Sequence, residues 1–161
     1  MIFKKLTLED QTLATCLMSG ILLTAGLFLE HLLMLEPCSL CLVQRFWFLV
    51  CGAVAYTALI HNPRYGIYPL LTIIASLAGA GYAVWHLALQ FNIAQAMSCS
   101  PPISYLVSSP DQLLEVIWDT FKGNTGCNTR YWILPIPAWA LAGFLLIGMN
   151  AAIQLKKIVS G

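Results

Sequence analysis

The chain has 161 residues, of which 59% are hydrophobic and only 9% are charged. Soluble domains carry about 25% charged residues, so this composition excludes an ordinary water-soluble protein and indicates a membrane protein. The formal net charge of +1 offers no basic surface, so we expect no nucleic-acid partner. At this length we expect a single integral membrane domain, residues 1–161, in contact with the lipid bilayer.

Four uncharged stretches are long enough to cross a bilayer as helices, which takes about 20 residues each. They lie at about 11–29, 42–60, 67–91 and 135–155. The first also fits a secretory signal peptide, but it is too long and lacks a clear small-residue cleavage pattern. A tight turn is predicted at 62–66, and Ala75, Gly79 and Ala83 recur at a spacing that favours close helix packing. We predict an all-α membrane protein built as a four-transmembrane-helix bundle.

Basic residues indicate the orientation of these spans. Most lie at the two termini and in the 62–66 turn, which share one side of the membrane if there are four spans: Lys4, Lys5, Arg64, Lys156 and Lys157. Because basic residues favour the cytoplasmic side, we expect both termini in the cytoplasm. The 30–40 turn and the long 92–134 loop then lie outside.

The 92–134 loop contains a predicted short helix. Ser109 and Pro110 read as an N-cap and a first-turn proline, and apolar residues follow at helical spacing. Trp118 suits a membrane interface, so we expect an interfacial helix in this outer loop. The loop also carries Cys99 and Cys127, which fall on the same side as Cys38 and Cys41.

Cys38 and Cys41 form a Cys-x-x-Cys motif directly after Pro37. The proline places the motif at a helix N-terminus, where unsatisfied N–H groups and the helix dipole favour a thiolate. Arg45 lies four residues past Cys41, on the same helix face, and adds a permanent positive charge. This arrangement is typical of redox chemistry.

Other uses of the cysteines remain open at this point. Cys99 and Cys127 could form a structural disulfide, whereas a disulfide from Cys38 to Cys41 would constrain almost no chain. Four cysteines allow three pairings, so the resting connectivity is undetermined. A zinc site would need two further ligands, and we predict no metal. Cys16 and Cys51 are expected to be apolar packing residues.

The segment from Pro37 to Arg45 resembles the signature of the DsbB family of bacterial membrane disulfide oxidoreductases. The similarity covers nearly the whole chain: four spans, two outer cysteine pairs, His86 in the third span, and a Pro-x-Pro-Ala-Trp segment at the start of the fourth. It implies a protein dithiol:quinone oxidoreductase that supports disulfide bond formation. It also implies that the chain lies in a bacterial inner membrane with its redox loops in the periplasm. Its soluble partner would be a DsbA-like periplasmic thioredoxin-fold oxidase. Its electron acceptor would be the membrane quinone pool, with either ubiquinone or menaquinone as the quinone.

The resemblance also implies residue roles. Cys38, Cys41, Cys99, Cys127 and Arg45 would be catalytic, and Cys41, Arg45 and His86 would line the quinone pocket. Without the family, His86 is equally well explained as a histidine hydrogen-bonded between helices. Gln44, beside Arg45, is a candidate hydrogen-bond partner of the quinone or of the backbone.

Two other classes of function are alternatives to this one. A membrane disulfide reductase or electron carrier would need redox cysteines reachable from the cytoplasm, and Cys16 and Cys51 are not paired in sequence. A non-enzymatic metal-binding or structural membrane module is the other alternative. The oxidase interpretation explains more of the sequence than either.

Overall fold

The structure is a computed structural model that describes residues 7–33, 39–91 and 136–160. These residues form four helices: α1 (Leu8–Leu33), α2 (Ser39–His61), α3 (Ile67–Gln90) and α4 (Ile136–Ser160). Segments long and apolar enough to cross a membrane lie at Leu8–Leu29, Leu40–His61, Ile67–Leu89 and Pro137–Ser160. The predicted all-α fold with four membrane-spanning helices is confirmed. The predicted interfacial helix lies outside the described residues.

Local hydrogen bonds define the start of α1 and the turn after α2. Thr7 Oγ1 accepts a hydrogen bond from the Asp10 backbone N–H at 3.2 Å, and Asp10 Oδ2 accepts one from the Thr7 N–H at 3.0 Å, which makes a capping box. Between α2 and α3, the side-chain oxygen of Asn62 accepts a hydrogen bond from the Arg64 N–H at 2.9 Å. The turn predicted at 62–66 is therefore present, and α2 and α3 are antiparallel neighbours.

The helices pack in chain order around the bundle. α1 contacts α2, α2 contacts α3, α3 contacts α4, and α4 returns to contact α1. The outward faces carry large exposed apolar side chains, while several polar side chains are buried between the helices. This distribution suits lipid as the surrounding solvent. Exposed apolar side chains include Leu17, Phe28, Leu49, Leu77, Leu146 and Met149.

Two aromatic rings fill the centre of the bundle. Phe48 of α2 and Phe144 of α4 stack in parallel, with ring centroids 3.9 Å apart. The Phe144 ring lies against Gly79 of α3, where a Cβ atom would be only 2.3 Å from its Cε1 atom. Ala75 and Ala83 of α3 are also buried. The row of small residues predicted on this helix thus lets α3 and α4 approach closely.

Side-chain amides join α1 to α4 at the end of the bundle where the first helix begins and the last one ends. Asn150 Nδ2 donates hydrogen bonds to the Gln11 carbonyl oxygen and to Thr15 Oγ1, both at 2.8 Å. One turn later, Gln154 Nε2 donates to the Leu8 carbonyl oxygen at 3.2 Å. It also contacts the hydroxyl of Thr12. We call these two α4 side chains, Asn150 and Gln154, the amide clamp.

Candidate functional site

The second cysteine of the Cys-x-x-Cys motif lies at the start of α2. Cys41 is the third residue of that helix and is half-buried. It therefore lies in the first turn, as the proline before the motif predicts. The backbone N–H groups of a first helical turn have no partner within the helix, and they stabilise a nearby negative charge.

Arg45 lies one helical turn beyond Cys41 and is held by the neighbouring helix. Its Nη2 atom donates a hydrogen bond to the backbone carbonyl oxygen of Gly26, in α1, at 3.2 Å. A Cβ atom at Gly26 would lie 3.5 Å from Arg45 Nε, so the guanidinium rests directly on the α1 backbone. This contact restricts a long, otherwise flexible cation to the end of the bundle that also carries Cys41.

Gln44 and His86 form a hydrogen-bonded pair between α2 and α3. Gln44 Nε2 lies 3.2 Å from His86 Nδ1. Both side chains are almost inaccessible to solvent, at 4% and 2% exposure respectively. Close to the pair in sequence, the same two helices carry three buried apolar side chains: Leu40, Val43 and Leu89. The pair therefore lies in an apolar setting where polar groups need partners.

The structure gives Gln44 a partner that the sequence does not indicate, the imidazole of His86. A bond from Gln44 to a quinone or to the backbone stays a prediction. The bond also gives His86 the interhelical role that was its alternative explanation. Pairing of this kind depends on the relative rotation of two helices, which the sequence of neither helix determines.

The charge balance around these residues is simple. Among lysine, arginine, aspartate and glutamate, α2 and α3 contain Arg45 and no other residue. α4 contains none of the four before Lys156. A permanent positive charge attracts an anion nearby, and more strongly at low dielectric than in water.

The remaining cysteines fall into two groups. Cys38, Cys99 and Cys127 lie outside the described residues. Cys51 is fully buried in the core with Phe48 and Phe144, which confirms its predicted packing role. Cys16 is half-buried on α1.

Among the described residues of this site, Gly26 has a role that the sequence did not indicate. Its carbonyl oxygen accepts a hydrogen bond from Arg45, and a glycine within a span does not by itself predict such a contact.

Comparison with known proteins places the chain in a family. The family model "Disulfide bond formation protein DsbB" matches residues 10–154. A curated protein named "Disulfide bond formation protein B" from Marinobacter nauticus is 35% identical over 146 residues, which is 84% of this chain and 85% of that protein. Proteins of the same name from Acinetobacter baylyi and Acinetobacter baumannii are each 34% identical. They cover 84% and 88% of this chain, and 83% and 91% of their own lengths.

No solved structure matches the chain significantly. The family match extends from the first turn of α1 to the second residue of the amide clamp, so it includes every described residue of the candidate site. This chain belongs to the DsbB family of disulfide bond formation proteins.

Proposed function

We propose that this membrane disulfide oxidoreductase reoxidises a DsbA-like periplasmic dithiol protein and passes the electrons to a membrane quinone. The observation that carries the proposal is the position of Cys41. It lies in the first turn of a membrane-spanning helix, one turn before an arginine that is anchored on the neighbouring helix. This arrangement supports a reactive thiolate at the edge of the bilayer, where a lipid-soluble oxidant is reachable.

The residues around Cys41 suit a quinone chemically. A quinone presents two carbonyl oxygens as hydrogen-bond acceptors, and Arg45, His86 and Gln44 all carry N–H donors. All three lie on the parts of α2 and α3 that share one end of the bundle. We propose that Arg45 and His86 hold the quinone beside Cys41, with Gln44 supporting His86. A quinone bound there supplies a two-electron, two-proton oxidant for the re-formation of the Cys38–Cys41 disulfide.

The cysteines carry the exchange as a series of thiolate attacks on disulfides. The partner's thiolate attacks the Cys99–Cys127 disulfide at Cys99, which forms a mixed disulfide and releases the Cys127 thiolate. The partner's second thiolate resolves the mixed disulfide and leaves with a disulfide of its own. The Cys127 thiolate attacks Cys38, which releases Cys41 as the thiolate that Arg45 stabilises. Cys99 attacks the Cys38–Cys127 bond to restore its own pair and leaves Cys38 and Cys41 reduced.

The proposed orientation places this chemistry in the periplasm. Both termini and the 62–66 turn lie on the cytoplasmic side of the inner membrane, where the basic residues concentrate. The start of α2 and the 92–134 loop then face the compartment in which disulfides form and persist.

A quinone reduction assay tests the proposal. Purified full-length protein in detergent is mixed with a reduced DsbA-like partner and a soluble quinone analogue, and the absorbance of the quinone is followed. We expect the native chain to consume quinone, and Cys41→Ser and Cys99→Ser each to abolish consumption. Cys16→Ser is the matched control because Cys16 lies on α1, away from the start of α2, and we expect it to keep the native rate.

Trapping the partner gives the order of the relay. When the second cysteine of the reduced partner is replaced by serine, its remaining thiolate attacks the Cys99–Cys127 disulfide of the native chain but the product cannot be resolved, so we expect a stable mixed disulfide with Cys99. If the native chain consumes no quinone, or if both the Cys41 and Cys99 variants remain active, the oxidase proposal is wrong. In that case, zinc content of the purified protein becomes the next measurement, because a metal-binding membrane module is one of the two alternatives.

A further inference from the structure

We propose that Gln44 is a positioning residue that holds His86 as the neutral tautomer with its proton on Nε2. The bond between the two side chains carries this inference, because it joins the amide nitrogen of Gln44 to the ring nitrogen Nδ1 of His86 at 3.2 Å. An amide nitrogen can only donate hydrogen bonds. Nδ1 must therefore be the acceptor and carry no proton, so the single proton of the neutral ring is on Nε2.

Burial supports the neutral form of the ring. His86 is 2% exposed, and an imidazolium so far from water is costly. Of the described residues near this end of the bundle, the other charged or titratable side chains of α2 and α3 are Cys41, Arg45 and Tyr82, and His31 lies in the last turn of α1. Arg45 follows Gln44 directly, so a second cation on His86 would meet a like charge.

The chemical consequence is that His86 is a hydrogen-bond donor through Nε2 and is already used as an acceptor through Nδ1. A quinone carbonyl can only accept hydrogen bonds, so this tautomer is the one that can bind it. Gln44 thus acts on the redox site through His86. This last step rests on the proposed function, whereas the tautomer itself does not.

Rotating the Gln44 amide by half a turn gives the competing arrangement. The amide oxygen would then face Nδ1, accept its proton, and leave Nε2 as an acceptor unable to bind a carbonyl oxygen. The two arrangements predict opposite protonation of the same ring, so a measurement of the ring nitrogens decides between them.

Nitrogen-15 NMR of the full-length protein in detergent micelles, without quinone, makes that measurement. Protonated and unprotonated imidazole nitrogens have well-separated shifts, and histidine is selectively labelled. The chain contains three histidines, at positions 31, 61 and 86. The His86 signals are assigned by their loss in His86→Asn. We expect native His86 to show an unprotonated Nδ1 and a protonated Nε2.

Gln44→Glu is the informative variant, because it keeps the shape of the side chain and replaces its donor with an acceptor. We expect the variant to protonate Nδ1, while the signals of His31 and His61 stay at their native positions. If Gln44→Glu fails to fold, Gln44→Met provides the readout. Methionine fills a similar volume without a donor, and we expect both tautomers to appear. A protonated Nδ1 in the native protein, or native His86 shifts in the variants, would overturn the proposal.

The quinone assay separates this proposal from the function on which it rests. We expect Gln44→Met to lower the rate of quinone reduction roughly threefold to tenfold, as the loss of one ordered hydrogen bond would. An unchanged rate with an altered tautomer shows that Gln44 does not act on the redox site. A native chain that reduces no quinone but has the expected Nε2 proton refutes the proposed function and leaves the tautomer in place.

Discussion

Replacing Gly79 with alanine would place a methyl group where the ring of Phe144 now lies. The new Cβ atom would be 2.3 Å from Cε1 and 2.4 Å from Cζ of that ring. Ordinary carbon contacts begin at about 3.5 Å, so the ring would have to retreat by about 1.2 Å. It cannot simply retreat, because Phe48 is stacked on it at 3.9 Å. α3 and α4 must therefore separate, or the stack must break.

The expected magnitude follows from two opposing effects. Overpacking of a close-packed core costs about 1–3 kcal/mol, whereas alanine is favoured over glycine within a helix by up to about 1 kcal/mol. We expect a net loss of about 1–2 kcal/mol in the free energy of unfolding. Gly81→Ala is the matched control on the same helix, since a Cβ atom there meets no other atom within 4 Å. It should leave stability unchanged or raise it slightly.

The assay is reversible unfolding in mixed micelles with increasing SDS, followed by tryptophan fluorescence. Phe144→Leu supplies a further check, because a smaller, more flexible side chain makes room for the added methyl group. We expect the double variant to be more stable than the sum of the two single effects predicts, by about 1 kcal/mol. The reasoning is refuted if the alanine variants at positions 79 and 81 have equal stability, or if the two substitutions are additive.

Two further substitutions test other parts of the bundle. Gln154→Leu removes the hydrogen bonds that this side chain donates to α1 and should cost about 1 kcal/mol in the same SDS titration, within the range measured for bonds between membrane helices. The outward-facing Ile153→Leu is its control, and equal stability of the two variants would show that the amide clamp contributes nothing. Cys51→Ala should lower stability by about 1 kcal/mol by opening a small cavity beside Phe48, while the rate of quinone reduction stays at the native value. Loss of that rate without loss of stability would contradict a packing role for Cys51.

The sequence predicts the bundle well because its strongest signals are local. Apolar length alone predicts four spans, since a bilayer imposes a minimum number of helical residues on any chain that crosses it. Asn62 and Pro63 predict the turn that follows α2, and the spacing of Ala75, Gly79 and Ala83 predicts a close helix contact. The sequence does not predict which helix packs there, because a row of small residues can pack against any helix surface of suitable shape.

The polar contacts between helices were harder to predict, for the same reason. The bond from Arg45 to Gly26 and the bond from Gln44 to His86 each depend on how two helices are rotated about their axes. The amide clamp, in contrast, has a local signal in the sequence. Asn150 and Gln154 lie four residues apart in a largely apolar helix, and polar side chains inside a membrane need partners. Amides inside a span therefore indicate a helix contact, and charged residues alone give no sign of this one.

The amide clamp also bears on how the chain is made. Asn150 and its acceptor at Gln11 are separated by 139 residues, so α1 enters the membrane long before its partner helix leaves the ribosome. α1 tolerates the delay because the hydroxyls of Thr12 and Thr15 donate to the Leu8 and Gln11 carbonyl oxygens of their own helix, at 2.8 and 3.2 Å. Closure of the bundle is therefore a late event in biosynthesis, completed only when the last span arrives beside the first.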